Sequence, residues 1–593
     1  METADWTVSG LLHTRATRTP DAPGLWQLNT DGEWVSATWR DYQQSVASLA
    51  KGFGKLGMTH GDRVGIMSAS CKEWDYAQLG IMAAGGVAVG LDPYGLDEHT
   101  REICHRCDFV GLVLGNVALL DKLDDQVRQK LRFIVTILPS TDPGIVSIDS
   151  LMSEQDHDEP WNLAQPDSVA TVIFTSGTTG APKGIEYSHR QMCLAAASIL
   201  SAFSDISEGS HLACWLPLSN LFQRIINLCA VARGAQTFYV ADPKDIMRFV
   251  SVIEPHVFIG VPRFYEKLHA GIQEALAKKP TTQQRFAHWA LRVGGRHSAA
   301  SRAGHPTGWL LKMQMSLAER MVLRRLRAML GRNLRFMISG SAPMPVWLLE
   351  SFHAMGLPVL EAYGISENII PVSLNRPDQF RFGSVGRPLQ GCEVRLASDG
   401  ELLVRGPGVF RAYFGEGTVE ARVDSQGFLS SGDFANIDTD GFITLIGRKS
   451  EIFKTSTGRR VAPSRIESLL RQLQHVEFAA VFGAGRVLPT ALVIVNETAW
   501  QENHHQLCLR LRHEAQRTLA PLPAYLRPVG LAVSTQMFTI AGGELTANLK
   551  MRRHAIATNF GSVLNELCVH IDNAVGEPFE VHSKDGLLLF FSL

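Results

Sequence analysis

The chain has 593 residues, with 57 Lys and Arg against 58 Asp and Glu, so its formal net charge is −1. A chain this long exceeds one ordinary hydrophobic core, and two or more domains are expected. The balanced charge argues against a general nucleic-acid binder, whose affinity depends on neutralising phosphates. Its longest apolar stretch, Leu79 to Leu91, is shorter than the ~20 residues of a spanning helix, so no transmembrane segment is expected. No secretory signal is visible at the N-terminus, and we therefore expect a cytoplasmic protein.

Helical and strand patterns alternate through the first 330 residues. The earliest segments predict a helix around Trp39 to Leu56, a strand at Arg63 to Met67, a helix over Trp74 to Ala84 and a strand at Val110 to Val113. Such alternation favours an α/β fold with mostly parallel strands.

The next predicted strand, Val169 to Phe174, leads into a loop that suits a nucleotide triphosphate. Its hydroxyl, glycine and lysine residues are Thr175, Ser176, Gly177, Thr178, Thr179, Gly180 and Lys183. Glycines let backbone N–H groups approach phosphate oxygens, hydroxyls add donors, and the lysine adds charge. Two residues separate the last glycine from the lysine, and a second strand at Gly184 to Tyr187 follows, so this is not a Walker A loop. The bracketing strands also argue against a flexible linker, and the capping-box pair Ser188 and Gln191 then begins a helix.

A basic amphipathic helix is predicted at Leu310 to Leu330. Its apolar residues and arginines are Leu317, Met321, Leu326 and Met329 beside Arg320, Arg324, Arg325 and Arg327. Such a helix can lie on a membrane surface. More often the apolar stripe of a surface helix packs inward, and this is the arrangement we expect.

Short strands with Asp-Gly turns at Asp399-Gly400 and Asp440-Gly441 predict a β subdomain over about Gly383 to Arg448. A strand, a glycine loop and a helix then open a second, small domain of the α+β type, which ends near Cys568. The apolar tail after it is expected to pack against the body, because so short a run binds a bilayer weakly. The predicted organisation is thus a large N-terminal domain, a small C-terminal domain and a tail, at 1–448, 449–568 and 569–593.

Further segments carry polar residues where a predicted strand or turn ends, as a composite nucleotide site requires. They are Gly340, Ser341, Ala342 and Pro343, then Glu361, Tyr363, Gly364, Ser366 and Glu367, and then Ser431-Gly432-Asp433 and Gly447-Arg448. With the phosphate loop, these segments resemble the acyl-adenylate-forming superfamily of acyl-CoA synthetases, peptide-synthetase adenylation domains and luciferases, in order from about Trp26 to Arg553. Long-chain acyl-CoA synthetases fit best, on GVPRFYEK (260–267), GSVGRPL (383–389), GRKSEIFKTSTGRRVAPSRIE (447–467) and GELTANLKMRR (543–553).

The resemblance implies that the chain uses ATP, Mg²⁺ and coenzyme A. Residues Thr175 to Lys183 would hold the β- and γ-phosphates of ATP, and Ser366 would reach the α-phosphate. Glu367, together with Thr178, would hold Mg²⁺, the hard cation that usually accompanies a triphosphate.

The resemblance also assigns the adenosine part of ATP. Tyr363, within the segment Glu361 to Gly364, would stack on adenine, and Gly340 to Pro343 would form the other wall. Asp433 would accept both ribose hydroxyls, with Arg448 assisting.

Lys550 matches the catalytic lysine of the family, which enters the site from the small domain. Attack of a carboxylate on the α-phosphate builds up charge that a cation bridging both oxygens would stabilise. In the family, the small domain then rotates about a hinge just after the position of Gly447-Arg448. The loop around Thr455 to Arg459 would then line a tunnel for the pantetheine thiol, which attacks the acyl-adenylate.

Four positions depart from the long-chain synthetase pattern. Asn220 stands where the family usually has histidine, Gln223 where it has glutamate, and Asn368 where it has threonine. Ser450 occupies the hinge position, which usually carries Lys or Asp. Either one half-reaction is weakened or lost, or these are neutral changes at tolerant positions.

The implied acyl pocket lies between Leu216 to Arg224 and the segments around Gly340 and Gly364. These segments are mostly apolar apart from Asn220 and Gln223, so a hydrophobic carboxylic acid is the expected substrate. The leading hypothesis is an ATP-dependent acyl-CoA ligase. The alternatives are a half-reaction specialist, which would make acyl-AMP for a carrier protein or convert an adenylate supplied by a partner ligase, and a nucleotide-binding pseudoenzyme.

Overall fold

The computed structural model describes residues 6–153, 162–175, 182–415, 423–545, 551–573 and 588–593. The chain divides into a large and a small compact unit. The large unit comprises Met1–Arg395, Leu403–Leu429 and Asp438–Ile443, and the small unit comprises Leu396–Leu402, Ser430–Ile437 and Thr444–Leu593. The predicted α/β class, with a large N-terminal and a smaller C-terminal domain, is confirmed.

The large unit contains sixteen strands within the described residues. They are β1 Pro23–Leu28, β2 Trp34–Thr38, β3 Arg63–Met67, β4 Val87–Leu91, β5 Gly111–Leu114, β6 Phe133–Thr136, β7 Val146–Ser147, β8 Val169–Thr175, β9 Lys183–Ser188, β10 His211–Cys214, β11 Gln236–Tyr239, β12 Val257–Gly260, β13 Phe336–Ser339, β14 Val359–Tyr363, β15 Ser373–Leu374 and β16 Arg387–Pro388.

Its α-helices are α1 Val8–Arg18, α2 Trp39–Lys55, α3 Lys72–Ala83, α4 Asp97–Cys107, α5 Asp125–Lys130, α6 Ile148–Ser153, α7 His189–Ala202, α8 Leu221–Arg233, α9 Ile246–Ile253, α10 Pro262–Ala277, α11 Thr281–Arg302, α12 Trp309–Ala318, α13 Arg324–Ala328 and α14 Val346–Ala354. The four segments predicted at the start of the chain correspond to α2, β3, α3 and β5, with ends that differ by two residues at most.

Two sheets form the large unit. One has seven strands in the order β7-β6-β5-β3-β4-β8-β9, and the other has nine in the order β16-β15-β14-β13-β12-β10-β11-β1-β2. Inside both sheets the neighbouring strands are parallel, and antiparallel pairs occur only toward the edges. Central strands such as β5 are buried at every residue, as expected for parallel strands covered by helices on both faces.

The sequence signals around the predicted phosphate loop correspond to a hairpin and a capped helix. Strands β8 and β9 pair antiparallel, with Thr175 opposite Lys183. Ser188 caps α7 and exchanges hydrogen bonds with Gln191, so the predicted capping box is confirmed.

Gly386, in the GSVGRPL motif, lies where backbone segments approach closely. Its φ is +83°, and a Cβ there would lie 1.9 Å from the carbonyl carbon of Leu374. Only glycine fits both the left-handed conformation and this contact.

The predicted helix at Leu310 to Leu330 is interrupted. A π-helical turn at Glu319–Leu323 separates α12 from α13. Leu326 is buried, but Leu317, Met321 and Met329 are 50%, 40% and 43% exposed, so the expectation of an inward apolar stripe is wrong for these three. The periodicity identified an amphipathic helix, but α12 packs on the core through a different side. No helix in the described residues is long and apolar enough to cross a membrane.

Strands β17 Glu393–Leu396, β18 Glu401–Arg405, β19 Leu429–Ile437 and β20 Ile443–Arg448 form one sheet in chain order. The boundary between the two units passes through this stretch. Gly400 and Gly441 have φ values of +89° and +82°, which confirms the two predicted Asp-Gly turns.

The rest of the small unit is an α+β arrangement. Its strands and helices are β21 Phe453–Lys454, β22 Arg460–Val461, β23 Val476–Phe482, β24 Thr490–Val495, β25 Gly530–Ser534 and β26 Leu588–Ser592, with α15 Pro463–Leu470, α16 Glu497–Trp500, α17 His504–Leu519, α18 Arg553–Asn559 and α19 Gly561–Asn573. Strand β26, from the apolar tail, pairs antiparallel with β25 at the edge of a four-stranded sheet. The described end of the tail therefore packs against the protein, as predicted.

Candidate active site

The base of the predicted phosphate loop is fixed by the β8–β9 hairpin. The Thr175 hydroxyl donates a hydrogen bond of 3.5 Å to the Lys183 carbonyl, so the two ends of the loop are held side by side. The loop residues Ser176, Gly177, Thr178, Thr179 and Gly180 lie outside the described residues, as does Lys550.

Tyr413 joins the lysine of the hairpin to the predicted metal-binding carboxylate. The Lys183 Nζ lies 5.0 Å from the centroid of the Tyr413 ring, within the range of a cation–π contact. The Tyr413 hydroxyl donates a hydrogen bond of 2.9 Å to Glu367 Oε1. Lys183 and Glu367, predicted for the same end of ATP, are thus brought together in the large unit.

Tyr413 was missed by the sequence analysis, because no local pattern distinguishes it from a core aromatic. Its segment is held by an isolated antiparallel bridge to Ile185 and by a hydrogen bond of 2.9 Å from the Phe414 amide to the Gly184 carbonyl. These contacts fix the segment against β9, the strand that begins at Lys183.

The turn carrying Ser366 and Glu367 is anchored by its backbone. The Tyr187 hydroxyl donates to the Ser366 carbonyl. The Phe410 amide donates to the Glu367 carbonyl at 2.9 Å. Both site residues therefore start from a fixed main chain, with partners on β9 and on the segment before Tyr413.

Asn368, one of the four departures, is buried behind this turn. Its side-chain amide donates to the Ile370 carbonyl at 2.7 Å and lies 3.3 Å from Cys392 Sγ. A threonine hydroxyl has one proton and could not donate to both groups. Asn368 thus has a structural role in supporting Glu367.

Glu361 is a buried carboxylate that holds the predicted adenine wall. Its Oε1 accepts a hydrogen bond of 2.9 Å from the Met344 amide, at the end of the Gly340 to Pro343 loop. Burial raises the pKa of Glu361 to about 7, and the Met344 amide only partly offsets this. Glu361 lies two residues before Tyr363 on β14, so one carboxylate connects the strand of Tyr363 to the Gly340 to Pro343 loop, the two predicted sides of the adenine site.

The loop after β13 starts at the same edge of the sheet as Tyr363. Ser341 has a φ of +73°, an uncommon conformation that turns the chain sharply. A Cβ on Gly340 would lie 3.8 Å from the Phe222 ring. Tyr363 is 8% exposed at the end of β14, and Gly364 follows it. The predicted acyl segment, through Phe222, therefore adjoins the predicted adenine wall.

Asn220 and Gln223 lie at the start of α8 in different surroundings. Asn220 occupies the N-cap position but makes no side-chain capping bond, and it is partly exposed. Gln223 is 2% exposed. Its carbonyl accepts from the Leu216 amide at 3.3 Å, and its NH₂ donates to Asn227 Oδ1 at 2.9 Å. Asn220 can meet a ligand, whereas Gln223 has its partners inside the protein.

Gln223 belongs to a buried polar network around Asp75. Asn227 donates to Asp75 Oδ2 at 2.7 Å, and the Tyr239 hydroxyl donates to the same oxygen. Burial raises the pKa of Asp75 and lowers that of Arg224 to about 9. A glutamate at position 223 could not donate to Asn227 and would add a second carboxylate near Asp75.

In the small unit, Asp433 and Arg448 form the predicted ribose pair. Arg448 Nε lies 3.3 Å from Asp433 Oδ1, and the Asp433 side chain is nearly buried. The neighbouring Gly432 amide donates to Glu401 Oε1 at 2.9 Å. The two residues that the motifs placed on ribose are thus adjacent, on β19 and β20.

Ser450, the hinge departure, is exposed in the turn after β20. The preceding Lys449 is fixed by ion pairs of 2.9 Å to Asp399 and 2.7 Å to Glu401. These bonds raise the pKa of Lys449, with the Glu401 bond as the largest cause. The position before the predicted hinge is therefore anchored, while Ser450 carries no charge.

The predicted pantetheine loop is a preformed hairpin between β21 and β22. The Arg459 amide donates to Thr455 Oγ1 at 3.1 Å, and the Ser456 amide donates to the Arg486 carbonyl at 2.8 Å. Gly458 has a φ of +78°, which closes the turn. The loop has a fixed shape within the small unit.

Arg553, three residues after Lys550 in the sequence, is anchored in the small unit. Its guanidinium donates two hydrogen bonds of 2.5 Å to the Glu467 carboxylate. The same carboxylate also accepts a hydrogen bond of 2.8 Å from the Val481 amide. Bidentate arginine–carboxylate pairs are among the most directional polar contacts. The segment after the predicted catalytic lysine thus begins from a fixed point.

The described residues contain no cluster of three or more His, Cys, Asp or Glu side chains that could hold a metal by itself. Glu367 alone is suited to a different kind of site, because Mg²⁺ is usually bound by one or two carboxylates together with substrate phosphates. The donor set therefore fits Mg²⁺ brought in with ATP.

Comparisons with known proteins agree with this geometry. Residues 12–414 match the AMP-binding enzyme family, and residues 451–567 match the AMP-binding enzyme C-terminal domain. The chain is 29% identical over 565 residues to the long-chain-fatty-acid–CoA ligase FadD15 of Mycobacterium bovis, covering 91% of this chain and 93% of that protein. It is 31% identical over 461 residues to the putative fatty-acid–CoA ligase fadD11 of Mycobacterium tuberculosis, covering 72% and 79%.

Solved structures show the same fold. The adenylation domain of a carboxylate reductase from Mycobacterium chelonae superposes with a TM-score of 0.75 at 19% identity, covering 95% of this chain and 91% of that one. The anthranilate CoA ligase AuaEII superposes with a TM-score of 0.73 at 20% identity, covering 94% and 98%. The chain belongs to the AMP-binding enzyme family, and the predicted resemblance to acyl-adenylate-forming, acyl-CoA synthetase-like enzymes is confirmed.

Proposed function

We propose that this protein is an acid–CoA ligase, which uses ATP to convert a hydrophobic carboxylic acid into an acyl-AMP and then transfers the acyl group to coenzyme A. The contact chain from Lys183 through Tyr413 to Glu367 carries the proposal. It combines a cation for the terminal phosphates with a carboxylate suited to Mg²⁺ in the large unit.

In the first half-reaction, a substrate carboxylate oxygen attacks the α-phosphorus of ATP. A new P–O bond forms, the bond to the β-phosphate oxygen breaks, and pyrophosphate leaves. Lys183 and the hairpin loop would hold the leaving pyrophosphate, and Ser366 would orient the α-phosphate. Mg²⁺, held with Glu367, would supply positive charge for the phosphate oxygens.

The adenosine part would be held by residues that the sequence motifs assigned. Tyr363 would stack on the base, and Glu361 would keep the Gly340 to Pro343 wall in place through Met344. Asp433 would accept the ribose hydroxyls, with its orientation set by Arg448.

In the second half-reaction, the pantetheine thiol attacks the acyl carbon of acyl-AMP and AMP leaves. AMP is a much better leaving group than hydroxide, so activation in the first step makes this exchange feasible. The Thr455 to Arg459 hairpin would guide the thiol, while Lys550 would serve the first step only.

The acid is proposed to be a long-chain fatty acid. The relative FadD15, which matches 91% of this chain, is named as a ligase of long-chain fatty acids, and fadD11 is named as a putative ligase of fatty acids. The Phe222 ring beside Gly340 supplies apolar surface where the acyl group would enter, and the neutral Asn220 replaces a residue that could carry charge.

The first test measures the two half-reactions separately. ATP–pyrophosphate exchange should occur with long-chain fatty acids, and synthetic acyl-AMP with CoA should yield the thioester. In the Lys550→Ala variant, exchange should fall below about one-thousandth of wild type while the thioester step is retained. Exchange without thioester, or thioester only from supplied adenylate, would support a half-reaction specialist, and ATP binding without either would support a pseudoenzyme.

A second prediction concerns Tyr413→Phe. The variant keeps the ring over Lys183 but removes the hydrogen bond to Glu367. A hydrogen bond to a charged group contributes about 1.5–3 kcal/mol, so pyrophosphate exchange should fall about 10- to 100-fold. The apparent KM for Mg²⁺ should also rise.

Tyr94→Phe, on a 64% exposed tyrosine, is the matched control and should leave exchange unchanged. Equal exchange in both variants would remove Tyr413 from its assigned role.

A third prediction concerns Glu361. Its pKa is raised from 4.5 to about 7, so between these pH values the folded protein keeps a proton that the unfolded chain releases. Stability is therefore lost as the pH rises through this window. Glu361→Gln should remove that loss. In urea unfolding, the free energy of unfolding of the variant relative to wild type should therefore be about 3 kcal/mol higher at pH 8 than at pH 4.5.

Glu361→Ala is the companion variant, because it also removes the acceptor of the Met344 amide. We expect its KM for ATP to rise about tenfold, while Glu361→Gln stays near wild type. A stability difference between Glu361→Gln and wild type that is equal at both pH values would contradict the account.

A further inference from the structure

The large unit exposes an unusual set of large apolar side chains on neighbouring helices. They are Phe286 (53% exposed) on α11, Trp309 (76%), Leu310 (50%), Met313 (56%) and Leu317 (50%) on α12, and Met321 (40%) on the π-helical turn. We refer to these six residues as the α11–α13 surface. Soluble monomeric proteins rarely expose large contiguous apolar patches, so a cluster of six such side chains indicates an interaction site.

The apolar side chains of α12 share one face. At about 100° per residue, Trp309, Leu310, Met313 and Leu317 fall within an arc of about 100°. The opposite face packs on the core of the large unit through Leu311, Met315 and Ala318. The helix is therefore anchored on one side and presents a separate apolar stripe to solvent.

A cavity links this stripe to α11. It has a volume of about 420 Å³ and is lined by Thr282, Arg285, Phe286, Trp289 and Leu317. None of these residues was assigned to the nucleotide or acyl site. The cavity thus belongs to the surface itself, where it could receive an inserted apolar group next to an arginine.

The surrounding charge is strongly one-sided. Residues 280–335 contain eleven Lys and Arg but a single acidic residue, Glu319, in a chain whose net charge is −1. Glu319 forms an ion pair with Arg327, whose Nη1 donates to Glu319 Oε2 at 2.8 Å. The cations bordering the apolar stripe are Arg285, Lys312, Arg320 and Arg324, and none of them pairs with an acidic side chain in the part of the chain that the structure describes.

We propose that the α11–α13 surface docks the protein on an anionic phospholipid bilayer. Phospholipid headgroups would pair with the four bordering cations, while Trp309 and the apolar stripe enter the boundary between headgroups and acyl chains. Tryptophan favours this depth because its ring is apolar and its N–H is polar. The protein would lie on the membrane without spanning it, and this docking is independent of the proposed ligase reaction.

A second copy of the chain fits the surface less well. In a two-fold dimer the same patch meets itself, so unpaired arginines would face unpaired arginines. Like charges brought together across an interface oppose association. An anionic bilayer supplies negative charge for the unpaired cations and an apolar phase for the exposed apolar side chains.

Flotation with vesicles tests the proposal on the full chain. Wild type should float with vesicles of phosphatidylcholine containing 30% phosphatidylglycerol, and much less with phosphatidylcholine alone. Raising the salt to about 0.5 M should weaken binding, because surface charges are screened. The double variant Trp309→Ser/Arg320→Gln should bind the anionic vesicles at least fivefold more weakly than wild type. The loss of a single cation near an anionic membrane already weakens binding by about that factor.

The matched control is Leu509→Ser/Arg517→Gln, which removes one exposed apolar residue and one cation from α17. It should float like wild type, and both double variants should keep the wild-type unfolding midpoint. Wild type that stays unbound to anionic vesicles, or equal binding by both variants, would overturn the proposal. Self-association that depends on Trp309 and Arg320, without vesicle binding, would assign the surface to a second copy instead.

Discussion

The hydrogen bond from Tyr413 to Glu367 is the contact on which the proposed phosphate end of the nucleotide site depends. The same tyrosine ring lies under Lys183, so one side chain relates the cation proposed to bind the phosphates to the carboxylate proposed to bind the metal. The main chain on both sides of this contact is held by backbone hydrogen bonds and by Tyr187. Charged groups that are in position before the substrate binds need no reorganisation when pyrophosphate leaves. Such positioning and electrostatic stabilisation are the main source of catalysis in phosphoryl transfer.

The departures from the family pattern are not equivalent. Gln223 donates and accepts within the buried network around Asp75, and Asn368 braces the turn behind Glu367. Both are built into the core in a way that the usual residue could not reproduce. Asn220 and Ser450 are instead more exposed, in the segment predicted to line the acyl pocket and at the predicted hinge. Any change of substrate or of domain movement is therefore to be sought at these two positions.

Local patterns in the sequence predicted the strand Arg63–Met67 and the capping box of Ser188, since both depend only on near neighbours. The ordered motifs predicted the family. Tyr413 could not be found in this way, because its partners come from distant parts of the chain. The orientation of α12 was also missed, since helical periodicity reveals an apolar stripe such as that of Leu317 but not which side a neighbouring helix covers.

The central claim is that Tyr413 couples Lys183 to Glu367, and a double-mutant cycle on MgATP binding tests it most directly. Calorimetry would compare wild type, Lys183→Met, Glu367→Gln and the double variant, in the native background and in Tyr413→Phe. Residues joined in one contact network have interaction energies of about 0.5–3 kcal/mol, so the two losses should be non-additive in the native background and close to additive in Tyr413→Phe. Additive losses in the native background would contradict the account.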